Sequence, residues 1–117
     1  MPRDFRLYLD DMLEAIGRIQ EYTADMDEAA FARDLKTQDA VVRNLEVIGE
    51  AARNLPDQMK AGAPEIDWRK IVGLRNILIH EYFGISTPIL WDIIQNKLDT
   101  LGRTCRRLLQ IENLEPN

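Results

Sequence analysis

The chain has 117 residues, a net charge of −5, 45% hydrophobic residues and 30% charged residues. This length and composition exclude a disordered or fibrous chain and two independent domains, so residues 1–117 are expected to form a single soluble domain. The charge disfavours a broad basic face for nucleic acid, but residues 61–117 carry seven Lys/Arg and seven Asp/Glu and could hold a local anion site.

The first half of the chain predicts two long helices with a short one between them. Apolar residues recur at helical spacing from Asp4 to about Tyr22, which indicates a first amphipathic helix. The segment DMDEAAFARD predicts a short helix capped by Asp25 or Asp27. A second long helix, stopped by Pro56, is predicted from five apolar positions: Val41, Leu45, Ile48, Ala52 and Leu55.

The second half predicts two further long helices. Asp67 is placed to cap a helix that begins with Trp68, and Gly84 is a suitable stop for it. Ser86 or Thr87, directly before Pro88, is the expected N-cap of the last helix. That helix carries a long apolar stripe: Leu90, Ile94, Leu98, Leu101, Cys105 and Leu108. The pattern predicts an all-α fold, a bundle of four principal helices with a short helix or two in the connections.

Cellular location and metal content are also constrained by the sequence. The N-terminus is charged and the apolar runs are short, so we expect neither a signal peptide nor a membrane span, and a cytoplasmic location. One Cys and one His cannot supply a Cys/His zinc site, and we expect neither metal nor cofactor. Cys105 is expected to be a small apolar residue on the inner face of the last helix.

The segment LRNILIHEYFG, residues 74–84, concentrates the residues that could carry chemistry. It contains Arg75, Asn76, Tyr82 and the only histidine, His80. At about 100° per helical residue, Asn76 and His80 share a face, whereas Arg75 and His80 lie about 140° apart. One straight helix therefore does not bring Arg75 and His80 together, but a two-fold pair of chains could place both copies in a shared cleft.

Such a paired cleft would suit RNA cleavage without a metal ion. One group must take the proton from the 2′-hydroxyl and another must give one to the departing 5′-oxygen, and two chains supply two imidazoles. Arg75 could hold the scissile phosphate, and Asn76 could orient His80 or a substrate group. From spacing alone, the competing interpretation is that His80 is a structural residue, Arg75 a solvated one and Tyr82 a core residue.

The string RNILIHEY, read as R-x4-H-x-Y, resembles the signature of HEPN ribonucleases and in particular of the HepT toxin family. The similarity extends over nearly the whole chain, through RDFRLYLDDMLEAI, KTQDAVVRNLEVIGEAARNLP, PEIDWRKIVGLRNILIHEYFG and LWDIIQNKLDTL. The resemblance implies an up-and-down HEPN bundle of four to five helices that forms a homodimer with a composite cleft. It also implies a metal-independent endoribonuclease toxin with an RNA substrate.

The resemblance further implies a role for each motif residue and a protein partner. Arg75 and His80 would be the catalytic pair, Asn76 the supporting polar residue, and Tyr82 the site of AMPylation. The partner would be a minimal nucleotidyltransferase antitoxin of the MntA type, which neutralises the toxin by transferring AMP to Tyr82. A rival interpretation is a non-catalytic helical subunit that binds such a nucleotidyltransferase, and a third is a purely structural interaction module.

Overall fold

The computed structural model describes residues 4–80 and 86–114, which form helices and no strand. Seven helices follow one another: α1 (Phe5–Thr23), α2 (Glu28–Arg33), α3 (Leu35–Arg53), α4 (Asp57–Ala61), α5 (Trp68–His80), α6 (Thr87–Asn96) and α7 (Leu98–Leu114). The predicted all-α bundle is confirmed. Helix α1 packs against α3 and α7, and α3 packs against α5, so the four longest helices form the bundle.

The apolar stripes read from the sequence form the core. Every apolar position predicted for the second long helix and for the last stripe is buried, and so are the central positions of α1: Leu9, Met12, Ile16 and Ile19. Phe31 of the short helix α2 is fully buried, and its ring centroid lies 5.4 Å from that of Trp91 in α6. This contact ties the short connecting helix to the bundle.

Side-chain caps define where several helices begin. Asp27 accepts a hydrogen bond from the Ala30 amide at 2.8 Å, which decides between the two predicted caps of α2. Ser86 accepts one from the Ile89 amide at 3.4 Å, which makes Ser86 rather than Thr87 the N-cap of α6. These caps supply acceptors for backbone N–H groups that have no partner within the helix.

The single long last helix expected from the sequence is wrong, because the chain divides into α6 and α7 at Lys97. Lys97 has φ −115° and ψ −37°, away from regular helical values. Its amide still donates to the Ile93 carbonyl, at 3.0 Å, and the apolar stripe continues on one face from Ile94 to Leu98. In the described part of the chain, no helix is both long and apolar enough to cross a membrane.

Candidate functional site

Helix α5, which carries the motif, is anchored at its N-terminal end by its first residues. The Asp67 carboxylate accepts a hydrogen bond from the Lys70 amide at 3.3 Å, as the predicted cap requires. The Trp68 indole N–H donates to the carbonyl oxygens of Lys60 and Ala63, each at 3.1 Å. These bonds fasten the start of α5 to α4 and to the connection that follows it.

A second anchor joins the connection before α5 to α7. The Glu65 carboxylate accepts hydrogen bonds from the Thr104 hydroxyl at 2.9 Å and from Arg107 at 2.7 Å. Arg107 also donates to the Gly62 carbonyl at 3.3 Å. The pKa of Glu65 is lowered by a hydrogen bond from its own backbone amide and, to a smaller degree, by Arg107 and Thr104. The carboxylate therefore stays ionised wherever the chain is folded near neutral pH.

Packing orients α5 about its axis. Leu78 is buried at 1% exposure, and Ile71, Val72 and Leu74 pack partly against the core. Asn76 is exposed. Because α5 is continuous from Trp68 to His80, positions 76 and 80 are four residues apart on one side of the helix by helical spacing.

The predicted site residues differ in how far the structure describes them. Arg75, Asn76 and His80 all lie within α5, which confirms the helical spacing used to compare them. The side chain of Asn76 is described, and those of Arg75 and His80 lie outside the description. Tyr82, and Gly84 as the expected end of the helix, also lie outside the described residues. The catalytic assignments therefore remain predictions.

The Cys and Arg side chains of α7, which lie outside the motif, have surroundings typical of residues with a structural role. Cys105 is fully buried, as expected, and burial raises the pKa of its thiol to about 12 against a smaller opposing effect of Arg106. Three arginines, Arg103, Arg106 and Arg107, lie in the middle of α7, which extends to Leu114. Arg107 serves the Glu65 anchor, and Arg103 lies 3.8 Å from Asp99.

The carboxylates of α3 also have an ordinary explanation. A carboxylate oxygen of Glu50 lies 3.9 Å from a guanidinium nitrogen of Arg53, one turn further along the same helix. No group of three or more His, Cys, Asp or Glu residues is arranged around a possible metal position within residues 4–80 and 86–114.

Sequence reasoning missed the Glu65–Arg107 anchor and the two lysines, Lys70 and Lys97, that border a groove beside α5. Residues 65 and 107 are 42 positions apart, so no local spacing relates them. Lys70 and Lys97 come together only because α5 and the α6–α7 junction lie on the same side of the bundle. No periodic pattern in the sequence carries that information.

Comparison with known proteins assigns the chain to a family. Residues 12–108 match the family described as Ribonuclease HepT-like. A Methanocaldococcus jannaschii protein named "Putative RNase" is 48% identical over 99 residues, which cover 84% of this chain and 82% of that protein. A Thermococcus cleftensis protein named "Probable ribonuclease HepT" is 43% identical over 101 residues, 86% of this chain and 92% of that protein.

A more distant relative has a name that specifies its substrate. The "mRNA nuclease HepT" of Shewanella oneidensis is 28% identical over 108 residues, with 72% of this chain and 80% of that protein covered. No solved structure matches the chain significantly. The matched residues include α5 and the whole R-x4-H-x-Y segment.

Proposed function

The chain belongs to the Ribonuclease HepT-like family of HEPN proteins, and we propose that it is an endoribonuclease toxin that cleaves RNA without a metal ion. The observation that carries the proposal is the family match over residues 12–108, which includes the motif on the continuous helix α5. Two relatives bear the names "Probable ribonuclease HepT" and "mRNA nuclease HepT", and these names support RNA as the substrate class. With RNA as its substrate, the enzyme would act in the cytoplasm.

In the proposed reaction the 2′-hydroxyl of the substrate attacks the adjacent phosphorus atom. One His80 imidazole takes the 2′-hydroxyl proton, and an imidazolium gives a proton to the 5′-oxygen as its bond to phosphorus breaks. Arg75 holds the phosphate oxygens and stabilises their additional charge in the transition state. The products are a 2′,3′-cyclic phosphate and a 5′-hydroxyl end.

The reaction needs an acid and a base, and the chain has one histidine. We therefore place the active site in a homodimer, in which each chain contributes Arg75 and His80 to a common cleft. Asn76, which is exposed and lies four residues before position 80 on α5, supports one imidazole by hydrogen bonding. The interpretation as a non-catalytic binding subunit differs in one respect, because it requires no cleavage that depends on His80.

Mixed dimers test whether both imidazoles are needed. Wild-type chain is mixed with increasing amounts of His80→Ala chain under conditions in which subunits exchange, and cleavage is measured at constant total protein. If both histidines are required, activity per total protein falls with the square of the wild-type fraction. A fall that is linear in the wild-type fraction, or shallower than linear, would show that dimers with a single His80 cleave RNA and would overturn the two-imidazole mechanism.

A protein partner is part of the proposal. In a toxin–antitoxin pair, a minimal nucleotidyltransferase of the MntA type would transfer AMP from ATP to the Tyr82 hydroxyl and release pyrophosphate. Added phosphate charge two residues from His80 and a bulky nucleotide would obstruct the cleft and weaken its attraction for RNA. AMPylation would thus switch the nuclease off.

The modification is tested with two tyrosine variants. Treatment with the nucleotidyltransferase and ATP should add AMP, detected by mass spectrometry, and abolish cleavage by the wild-type chain. Tyr82→Phe should resist both effects. Tyr22→Phe is the matched control, because Tyr22 is 42% exposed on α1 and should leave both effects intact. Inactivation of Tyr82→Phe by the same treatment would exclude Tyr82 as the controlling site.

A further inference from the structure

A groove of about 400 Å³ lies between the first two turns of α5 and the junction of α6 with α7. It exists because α5 packs mainly on α3, which leaves the seam between α5 and the last two helices open. The volume lies within the range of small-molecule binding sites, about 300 to 1,000 Å³. The groove is therefore large enough for one nucleotide.

The floor of the groove is apolar. Leu101 is buried at 1% exposure, and the floor is completed by side chains that are only partly buried: Ile66, Ile71, Leu74 and Ile93. Partly buried aliphatic side chains in a concave surface favour contact with a flat ligand, because the contact removes apolar surface from water. Asn96 and Thr100 line the same groove and add hydrogen-bonding groups beside this floor.

The rim of the groove carries two available positive charges. Lys70 and Lys97 are exposed, and neither side chain has an ion pair or hydrogen bond within the described part of the chain. The two acids at the same rim are already engaged, since Glu65 pairs with Arg107 and Asp67 caps α5. In a chain with a net charge of −5, this pair of lysines is a local site for an anion.

We propose that this groove is a subsite for one nucleotide of the RNA substrate, with the base on the apolar floor and its phosphate held by Lys70 and Lys97. The inference rests on the proposed nuclease function and extends it to a binding position outside the catalytic motif. Residue 70 precedes residue 75 by about 7.5 Å along the helix axis, so one helix carries both the subsite and the motif. A docked protein helix fits less well, because the described lining from α5 is Lys70, Ile71 and Leu74, which span little more than one turn.

The first test measures binding of a short single-stranded RNA as a function of salt. Binding is measured in a His80→Ala background so that the RNA stays intact, with and without Lys70→Ala/Lys97→Ala. We expect the double substitution to weaken binding about five- to tenfold at low salt. The slope of log K against log salt should become shallower by about 0.7, the value for one phosphate contact on a single strand.

The chain supplies a matched control. Lys36 and Lys60 are its two other lysines and do not line the groove, so Lys36→Ala/Lys60→Ala makes the same change in net charge. In chains that retain His80, the groove variant should raise KM for RNA cleavage about five- to tenfold and leave kcat within about twofold. The control pair should change neither. If the two double substitutions had equal effects, the change in overall charge alone would explain them, and the proposed subsite would be overturned.

AMP provides a direct probe of the groove. In NMR titrations of the wild-type chain, AMP should shift the amide signals of Ile71, Leu74 and Thr100, and inorganic phosphate or adenosine alone should shift them less. Shifts confined to other surfaces would overturn the inference. The inference would also be overturned if the groove variant kept its RNA affinity but no longer bound the nucleotidyltransferase. The groove would then be a binding surface for that protein. Cleavage that depends on His80 with unchanged KM would contradict the subsite alone, whereas AMP binding in the groove without any cleavage would contradict the nuclease alone.

Discussion

Glu65 and Arg107 join the connection before α5 to the middle of α7, with a guanidinium nitrogen 2.7 Å from a carboxylate oxygen across 42 sequence positions. Together with the Trp68 hydrogen bonds, this contact fixes the N-terminal end of α5, the helix that carries the motif. The position of the candidate site is thus set by residues outside the motif.

The Glu65–Arg107 contact should contribute to stability in a pH-dependent way. The folded state lowers the pKa of Glu65, so its contribution is present above the unfolded value of about 4.5 and is lost as the pH falls through the lower folded value. Arg107→Met should therefore reduce the free energy of unfolding at neutral pH, and the difference from the wild type should shrink at an acidic pH well below 4.5. Urea unfolding at both pH values measures this.

Arg103→Met is the control for that experiment, because Arg103 is also in α7 but lies 3.8 Å from Asp99 within the same helix. Its effect should be smaller at neutral pH, since exposed pairs within one helix contribute little. A loss for Arg107→Met that is equally large at both pH values would show that Glu65 ionisation is not its cause.

Trp68→Phe should destabilise the fold by about 1 kcal/mol beyond the loss of ring volume, because two carbonyl oxygens lose their indole donor. Trp91→Phe is the comparison, since Trp91 is also partly buried and has no side-chain hydrogen bond within residues 4–80 and 86–114. Thermal and urea unfolding of both variants give the difference. Equal losses would mean that the Trp68 hydrogen bonds do not stabilise the start of α5.

Cys105 should be chemically silent in the folded chain. With a thiol pKa of about 12 and full burial, it should not react with a thiol reagent at mildly alkaline pH until the chain unfolds. Because its folded pKa exceeds the unfolded value of about 9, stability should decrease as the pH rises above about 9. Cys105→Ala should remove this Cys105-dependent part of the decrease and leave RNA cleavage unchanged. Rapid labelling of the native chain would contradict the buried thiol.

The two faces of α5 should respond differently to substitution. Leu78→Ala removes a buried side chain and should cost about 2 to 5 kcal/mol of unfolding free energy. Asn76→Ala changes an exposed residue and should alter that free energy by less than about 0.5 kcal/mol, yet slow RNA cleavage. Unfolding curves and cleavage rates of both variants separate the two roles. Wild-type cleavage by Asn76→Ala would remove Asn76 from the proposed site.

The sequence predicted the helices well because their signals are local. Apolar residues at helical spacing identified the core of α1 and α3. Asp67 was the predicted cap of α5, and Asp27 and Ser86 were each one of two predicted caps. The division at Lys97 was missed because no Gly or Pro interrupts the sequence there. An apolar stripe can continue on one face through such a change of backbone angle.

The candidate site was predictable in a different way. Spacing alone left His80 between a catalytic and a structural role, and the resemblance of the whole chain to a nuclease family favoured the first. The anchors and the groove beside α5 were not predictable, because Glu65 and Arg107, and likewise Lys70 and Lys97, are brought together only by the packing of distant helices.

Incubation of the purified wild-type chain and of folded His80→Ala with total RNA in EDTA, followed by analysis of the product ends, tests the central claim most directly. The proposed mechanism predicts cleavage by the wild-type chain alone, with 2′,3′-cyclic phosphate and 5′-hydroxyl ends. Equal cleavage by both chains, or no cleavage by an unmodified wild-type dimer, would contradict it.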